Sequence, residues 1–244
     1  FPLRLARDDA KHAKVLRLAP GEHIAVIDAA QDYFECEITS FDDDFPLVRI
    51  TRHEDATDDG PLVMLVQGLA KGEKMDSVIR HATELGVVAF MPLTCERSIV
   101  KLDQKKTRTR LDRWRSIAKS AAMQSGQPRI PEVVEPRSAK EAASELAEAT
   151  AVLICWEEAP QTASLAHAIE RGLSECTCSR SDARIAVVVG PEGGLTEREV
   201  GFFLDANPRS SLVSLGSSIL RTETAGVVAP ALALYELGKL GGTR

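Results

Sequence analysis

The sequence has 244 residues, of which 44% are hydrophobic and 27% are charged, and its formal net charge is −6. This composition is typical of a soluble globular protein with either one large domain or a small and a medium one. No apolar run approaches the roughly 20 residues that a bilayer-crossing helix needs, so no membrane segment is expected.

The N-terminus and the cysteines indicate a cytoplasmic protein. Residues 1–20 carry five cations and no apolar core, so no signal peptide is expected there. The five cysteines are odd in number and scattered, as in proteins of a reducing compartment. Cys176 and Cys178 share a polar stretch, but two thiols alone cannot form a structural zinc site, so no metal is expected.

The charge is unevenly distributed. Between Arg97 and Lys119 there are nine cationic residues and two acidic ones, a local sum of 9 − 2 = +7 in a chain that is acidic overall. Two interpretations stay open at this point. The segment is either the solvated face of a helix or a surface that attracts nucleic acid phosphates.

The first fifty or so residues are predicted to form β-structure. Residues 24–27 and 47–50 are short apolar runs, and Phe34, Cys36 and Ile38 alternate with glutamates, which places one strand face inward. Too few residues are present for a large sheet, so a small barrel is expected. The acidic stretch 54–60 is interpreted as a linker, which gives domains at residues 1–58 and 61–244.

From residue 61 onward, apolar strands alternate with helical periodicity, which predicts a parallel sheet covered by helices on both faces. Gly86 is expected to end the first helix, and Ser138 and Thr196 begin capping boxes. The last helix is predicted near residues 223–237 and contains Pro230, which should kink it. Predicted strands occupy residues 62–66, 87–93, 151–156, 184–189 and 211–216.

The segment 190–194, Gly-Pro-Glu-Gly-Gly, follows an almost wholly apolar strand and precedes a capped helix. Ligands of open α/β sheets bind at this edge, where strands end. Glycines allow the backbone close to a ligand, and a helix N-terminus offers free N–H groups. The spacing matches neither a P-loop nor a dinucleotide fingerprint. A tight turn without a ligand is the alternative.

A second strand ends at Gly216, and Arg221 lies between this apolar strand and the apolar last helix. A buried unpaired charge is costly, so Arg221 is expected to have a partner or a function.

The two segments together resemble the signature of the ribosomal RNA small subunit methyltransferase E family, within the SPOUT superfamily. The resemblance rests on Gly190 to Leu195 and on Leu215 to Ala225, which reads Leu-Gly-Ser-Ser-Ile-Leu-Arg-Thr-Glu-Thr-Ala. Further matches follow in the same order along the chain, so the resemblance covers nearly all of it. They are His12 with Val15 to Arg17, Lys71 to Met75, Thr83 to Gly86, Ser98, Val100 to Leu102 and Pro131 to Val133.

This resemblance implies an α/β fold with a trefoil-knotted parallel sheet, a small PUA-like RNA-binding domain at the N-terminus, and a homodimer. It implies transfer of a methyl group from S-adenosylmethionine to N3 of one uridine in 16S rRNA, free or in the assembled small subunit. The residues expected to bind the cofactor are Trp156, Val189, Gly190, Glu192, Gly193, Leu215, Gly216, Ser217 and Leu220.

The same resemblance suggests Arg221 and Glu192 as catalytic residues. Arg221 would stabilise negative charge on the uracil oxygens or orient the carboxylate of the cofactor, and Glu192 or Glu223 would accept the N3 proton. Arg221 is the stronger candidate, because a glutamate at a helix start often only complements the dipole. RNA phosphates are expected at Arg17, Lys71, Lys74 and Arg97.

One departure affects the substrate. The family commonly has Pro-Arg where this chain has Ser217 and Ser218. If that arginine binds RNA, this chain has lost the contact or replaced it from elsewhere. The alternatives are a SPOUT enzyme that methylates a ribose 2′-oxygen or another base, a non-catalytic RNA-binding assembly factor, and an enzyme that binds a nucleotide phosphate.

Overall fold

A computed structural model describes residues 2–3, 17–28, 30, 32–42, 45–54, 60–100, 103–160 and 162–241. The predicted motif residues His12, Val15, Leu16, Lys101 and Leu102 lie outside these ranges, as does most of the predicted linker. The chain divides into two compact units. One comprises residues 1–57 with 128–130, and the other comprises residues 58–127 with 131–244.

The smaller unit contains an antiparallel three-stranded sheet of β1 (His23–Ile27), β2 (Tyr33–Asp42) and β3 (Phe45–Glu54), in that order. The predicted alternation in β2 is confirmed, since Cys36 and Ile38 are buried and pack with Val48 in a small core. The predicted β-structure is therefore present as this antiparallel sheet, and its closure into a small barrel stays a prediction.

The larger unit contains a seven-stranded sheet in which every pairing is parallel, as predicted. Its main path runs β10-β8-β9-β4-β5-β6, and β7 also pairs with β5. The strands are β4 (Leu62–Gly68), β5 (Ala89–Thr94), β6 (Glu132–Val133), β7 (Arg137–Ser138), β8 (Ala151–Cys155), β9 (Arg184–Val189) and β10 (Ser210–Val213). The two-residue strands β6 and β7 have no periodicity to reveal them, and they were not predicted.

Six helices of the described residues cover the sheet. They are α1 (Lys74–Leu85), α2 (Gln104–Ser125), α3 (Ala139–Glu145), α4 (Leu165–Cys176), α5 (Glu197–Ala206) and α6 (Thr222–Glu236). Helix α1 ends at Gly86, whose φ of 103° requires glycine, and both predicted capping boxes are formed. Helix α6 continues on both sides of Pro230. No described helix is both long and apolar enough to span a membrane.

The two faces of the sheet bury separate cores because alternate strand residues point to opposite sides. In β9, Ile185 and Val187 pack with helices α1, α2, α4 and α6, whereas Ala186 and Val188 pack with α3 and α5. This two-layer burial confirms the predicted α/β class with helices on both faces. The trefoil knot that the resemblance implies stays a prediction.

Helices α1 and α2 are held together by the buried carboxylate of Asp76. It accepts hydrogen bonds from Trp114 Nε1 at 3.1 Å and from Arg113 Nε at 2.7 Å. Trp114 is fully buried, as its position on the predicted apolar face of the basic helix requires. This contact fixes the start of α1 beside the third turn of α2.

Candidate functional site

A cavity of about 580 Å³ lies where β8, β9 and β10 end at the carboxyl edge of the sheet. Because neighbouring parallel strands end at the same edge, the loops that follow them meet there. The loop after β9 (residues 190–196) forms one side, and the loop after β10 (residues 214–221) forms another. The two glycine-containing segments of the sequence therefore line one space, together with the loop after β8 and the first turns of α1 and α6.

The loop after β9 is packed tightly against the end of β4. A Cβ atom at Gly68 would lie 2.2 Å from the backbone nitrogen of Pro191, so only glycine allows this approach. On its other side, the loop runs into the capping box of Thr196 and Glu199, which fixes the first turn of α5. The loop is therefore positioned by backbone contacts before any ligand binds.

A buried chain of hydrogen bonds connects the two loops. Gln67 Nε2 donates to Thr222 Oγ1 at 2.8 Å, and Thr222 Oγ1 donates to the carbonyl oxygen of Gly190 at 2.6 Å. Gln67 is 1% exposed and Thr222 is 6% exposed. The first residue of α6 is thus tied both to the central strand β4 and to the loop after β9.

A second link runs through the ammonium group of Lys74, in the first turn of α1. Its Nζ lies 3.0 Å from Glu192 Oε1 and 3.2 Å from Glu223 Oε2, so one cation bridges the loop after β9 and the start of α6. The backbone N–H of Lys71 also donates to Glu192 Oε1 at 3.0 Å. The carboxylate of Glu192 is therefore held in place by two donors.

These contacts keep both carboxyl groups ionised. Partial burial is the largest single influence on Glu192 and raises its pKa, but the backbone N–H groups of Lys71 and Glu192 and the ammonium of Lys74 outweigh it and lower the pKa overall. The pKa of Glu223 is lowered first by its own backbone N–H and then by Lys74. The pKa of Lys74 is raised, chiefly by its hydrogen bond with Glu192.

Comparison with known protein families identifies the family of this chain. The profile of a family described as "RNA methyltransferase domain" matches residues 59–234, which is more than half of the chain, and that of an "RNA methyltransferase PUA domain" matches residues 5–51. The chain belongs to the RNA methyltransferase family.

Individual relatives agree with this family. Ribosomal RNA small subunit methyltransferase E of Bacillus subtilis is 33% identical over 93% of this chain and 87% of its own length. The crystal structure of the protein of that name from Neisseria gonorrhoeae, bound to S-adenosyl methionine, gives a TM-score of 0.76 at 29% identity, covering 96% of this chain and 92% of that one. A Legionella pneumophila protein in complex with the bound cofactor SAM gives 0.75 at 26%, covering 96% and 92%.

Within this methyltransferase domain, most residues predicted to bind the cofactor line the cavity. They are Trp156, Val189, Gly190, Glu192, Leu215, Gly216, Ser217 and Leu220. Gly193 is not among the lining residues. It faces Arg97 instead, where an added Cβ would lie 2.9 Å from the Cβ of that arginine.

Arg221 lines the cavity at the residue just before α6. The sequence suggested a buried guanidinium that needs a partner, but the residue is exposed. Leu220 is partly buried against the core, but Ile219 is 91% exposed, so the apolar run before Arg221 is not a buried segment. The backbone of Arg221 is extended, with φ −64° and ψ 151°. The expected burial of Arg221 was wrong, but its location at the cavity supports a role in the site.

The residues predicted to contact RNA phosphates occupy different places. Lys71 and Arg97 are exposed, and Arg97 Nη1 donates to the carbonyl oxygen of Gly193 at 3.3 Å. Lys74 lies in the cavity and is already paired with two carboxylates. Arg17 is an exposed residue of the smaller unit.

Gln67 and Glu157 belong to the site but were not predicted from the sequence. Gln67 is a polar residue directly after an apolar strand run, and that interruption was the available signal. Glu157 lines the cavity, and its carboxylate lies against Gly194, where an added Cβ would be 2.4 Å from Glu157 Oε1. It follows Trp156, so the end of β8 contributes a carboxylate as well as an aromatic side chain.

Proposed function

We propose that this RNA methyltransferase transfers a methyl group from S-adenosylmethionine to N3 of one uridine in the 16S rRNA of the small ribosomal subunit. The observation that carries the proposal is the convergence of the two glycine-containing loops on one cavity, held together through Thr222. Relatives named ribosomal RNA small subunit methyltransferase E, one of them bound to the cofactor, support it.

The cavity fits the proposed cofactor in size and chemistry. Its volume of about 580 Å³ is within the usual range for small-molecule sites, roughly 300–1,000 Å³. Leu215, Leu220 and Trp156 offer apolar surface for the adenine ring, and the backbone of both loops offers groups to read its edge. The carboxylates of Glu157 and Glu192 add negative charge, which favours a positively charged sulfonium.

S-adenosylmethionine supplies an activated methyl group, so the chain itself has to position the uracil for in-line attack. We assign Arg221 to one of two tasks, which are stabilising the negative charge on the uracil oxygens and holding the carboxylate of the cofactor. Its exposure at the cavity suits a contact with a substrate group.

Glu192 and Glu223 are the candidate acceptors of the N3 proton, since their lowered pKa values leave them ionised at neutral pH. Their pairing with Lys74 also makes them weak bases, which keeps Arg221 ahead of them as the main catalytic candidate. We accordingly assign Lys74 to shaping the cavity, and Arg17, Lys71 and Arg97 to contacts with RNA phosphates.

The chemical position of the product tests the proposal. Small subunits that lack the modification are incubated with labelled S-adenosylmethionine, and the rRNA is digested to nucleosides for mass analysis. We expect 3-methyluridine at one site. A 2′-O-methylated nucleoside or another methylated base would favour the other SPOUT activities over this one.

Two further outcomes would replace the assignment. An assembly factor would bind 16S rRNA but show no heat of binding with S-adenosylmethionine. An enzyme that binds a nucleotide phosphate would be stabilised in a thermal-shift assay by ATP and not by S-adenosylmethionine. We expect stabilisation by S-adenosylmethionine alone.

The assembly that we propose for this activity is a cytoplasmic homodimer, in which residues 1–58 bind RNA and residues 61–244 carry out methyl transfer. Sedimentation analysis tests the dimer, and a mass of one chain at micromolar concentration would contradict it.

A further inference from the structure

The first two turns of α2, residues 104–110, form a strongly cationic projection. They contain Lys105, Lys106, Arg108 and Arg110 and no acidic residue, so this basic projection carries a charge of +4. This positive charge is confined to the projection, because the rest of the sequence has a formal net charge of −6 − 4 = −10. None of its residues is buried, and the first buried residue of the helix is Leu111.

This charge arrangement is unfavourable for the helix itself. The N-terminus is the positive end of the helix dipole, where cations destabilise, and like charges three or four residues apart repel each other. Lys105 and Arg108 have the first spacing, and Lys106 and Arg110 have the second. The N-cap residue Asp103 offsets part of this repulsion. Its carboxylate accepts a hydrogen bond from the backbone N–H of Lys106 at 2.8 Å and lies 3.0 Å from the ammonium group of Lys106.

Arg113 and Arg115, further along α2, make structural contacts that three of the four cations in the projection lack. Arg113 pairs with the buried Asp76, and Arg115 Nε donates to the carbonyl oxygen of Val133 at 3.2 Å. By contrast, Lys105, Arg108 and Arg110 make no ion pair or side-chain hydrogen bond with any residue in the described ranges. Their charges are available to an external anion.

The projection lies at the same edge of the sheet as the cavity. Helix α2 follows the carboxyl end of β5, and Arg113 sits beside Glu73 and Asp76 at the start of α1. Lys74 of that same turn lines the cavity, so one turn of α1 contributes both to the contact with Arg113 and to the site. Lys105 precedes Arg113 by eight residues, so the helix extends about 12 Å beyond that contact at 1.5 Å per residue.

We propose that the basic projection is a docking surface for the phosphate backbone of the substrate RNA. The inference rests on the proposed function, and it adds a binding surface that lies outside the cavity. The projection contains no aromatic side chain on which a base could stack, so contacts between its cations and phosphates position the RNA.

The test compares two double variants of the full chain that each lose one lysine and one arginine. Lys105→Gln with Arg108→Gln alters the projection, whereas Lys140→Gln with Arg80→Gln removes the same charges from exposed positions on α3 and α1. Binding of transcribed, protein-free 16S rRNA is measured from 50 to 300 mM salt. Each lost phosphate contact should reduce the slope of log affinity against log salt by about 0.7–0.9.

We expect the projection variant to lose about 1.5 from the slope and to bind about tenfold more weakly at 100 mM salt, while the control variant stays within twofold of wild type. Calorimetry with S-adenosylmethionine should give the same affinity for all three proteins, which shows that the fold and the cavity are intact.

If the projection variant has the same slope of log affinity against log salt as wild type, the inference is overturned. The proposed function would still stand in that case, provided that wild type forms 3-methyluridine. Weaker binding to whole small subunits with undiminished binding to free 16S rRNA would also overturn it, since the partner would then be an acidic protein surface. Failure of the proposed function has a different signature, because wild type itself would then form no 3-methyluridine in the rRNA, whatever the salt dependence of its binding.

Discussion

At the residue scale, the site depends on a single hydroxyl group. Thr222 accepts from Gln67 and donates to the carbonyl oxygen of Gly190, so it joins the central strand, the loop after β9 and the last helix. All three groups are buried or partly buried, and an unmade hydrogen bond there leaves a desolvated polar atom. Such an atom costs about 1–3 kcal/mol.

We therefore expect Thr222→Val to lower the free energy of unfolding by about 1–3 kcal/mol and to weaken binding of S-adenosylmethionine several-fold. Denaturant unfolding and calorimetry measure the two effects. Thr224→Val is the matched control, because Thr224 is exposed two residues further along the same helix and the change of shape is identical. Equal behaviour of the two variants would show that the buried chain does not organise the loops.

A second prediction at the residue scale concerns Arg221. Arg221→Ala should reduce methyl transfer by about 10²–10³-fold, the usual effect of losing one group that stabilises developing charge. Unchanged cofactor affinity would assign the guanidinium to the uracil, whereas a matching loss of affinity would assign it to the carboxylate of the cofactor. Methyl transfer at the wild-type rate would remove Arg221 from the mechanism.

At the scale of elements, Lys74 connects three parts of the site, since it begins α1 and pairs with the loop after β9 and with the start of α6. The pKa values of Glu192 and Glu223 are lowered in the folded state. Their contribution to stability is therefore present above the unfolded carboxyl pKa of about 4.3 and is lost as the pH falls through the lower folded value.

Lys74→Met should destabilise the protein at pH 7, and the difference from wild type should shrink as the pH falls from 5 to 3. Lys74 itself has a raised pKa, so the contribution of its charge is complete at neutral pH and is lost as the pH rises through a value above about 10.5. Urea unfolding across this acid range measures the difference. The exposed Lys140→Met serves as control, and a Lys74→Met difference that stays constant down to pH 3 would argue against the ion pairs.

At the scale of the whole molecule, the two units have separate hydrophobic cores. Within the described residues, both cores of the parallel sheet consist of residues from Val63 onward, while Cys36, Ile38 and Val48 form a core of their own. A unit with its own core can fold without the rest of the chain.

We therefore expect a chain of residues 61–244 to unfold in one cooperative transition and to bind S-adenosylmethionine within about threefold of the full-length affinity. It should bind 16S rRNA more weakly, because the predicted RNA-binding domain is missing. Calorimetry and RNA binding measured side by side test this, and a fragment that fails to fold would show that the smaller unit is required for stability.

The sequence by itself determined the helices and the longer strands in their order, but not the two-residue strands β6 and β7. A period of two located β2, continuous apolar runs located the longer strands of the parallel sheet, and a period of 3.6 located the helices. Capping residues located several helix ends. The edge that carries the site was also predictable, since loops that follow parallel strands meet at one edge. The individual cofactor residues came from the family resemblance instead, and eight of the nine, all except Gly193, line one cavity.

Only the tertiary structure decided which side chains meet across that edge. Gln67 and Thr222 are 155 positions apart, and Lys74 finds Glu192 and Glu223 from a different element, so no local pattern signals either contact. The tertiary structure also determined that Arg221 is exposed at the cavity and that Gly193 lies against Arg97. The physical reason is that periodicity encodes only burial on one face of an element, whereas a polar contact depends on how the elements pack together.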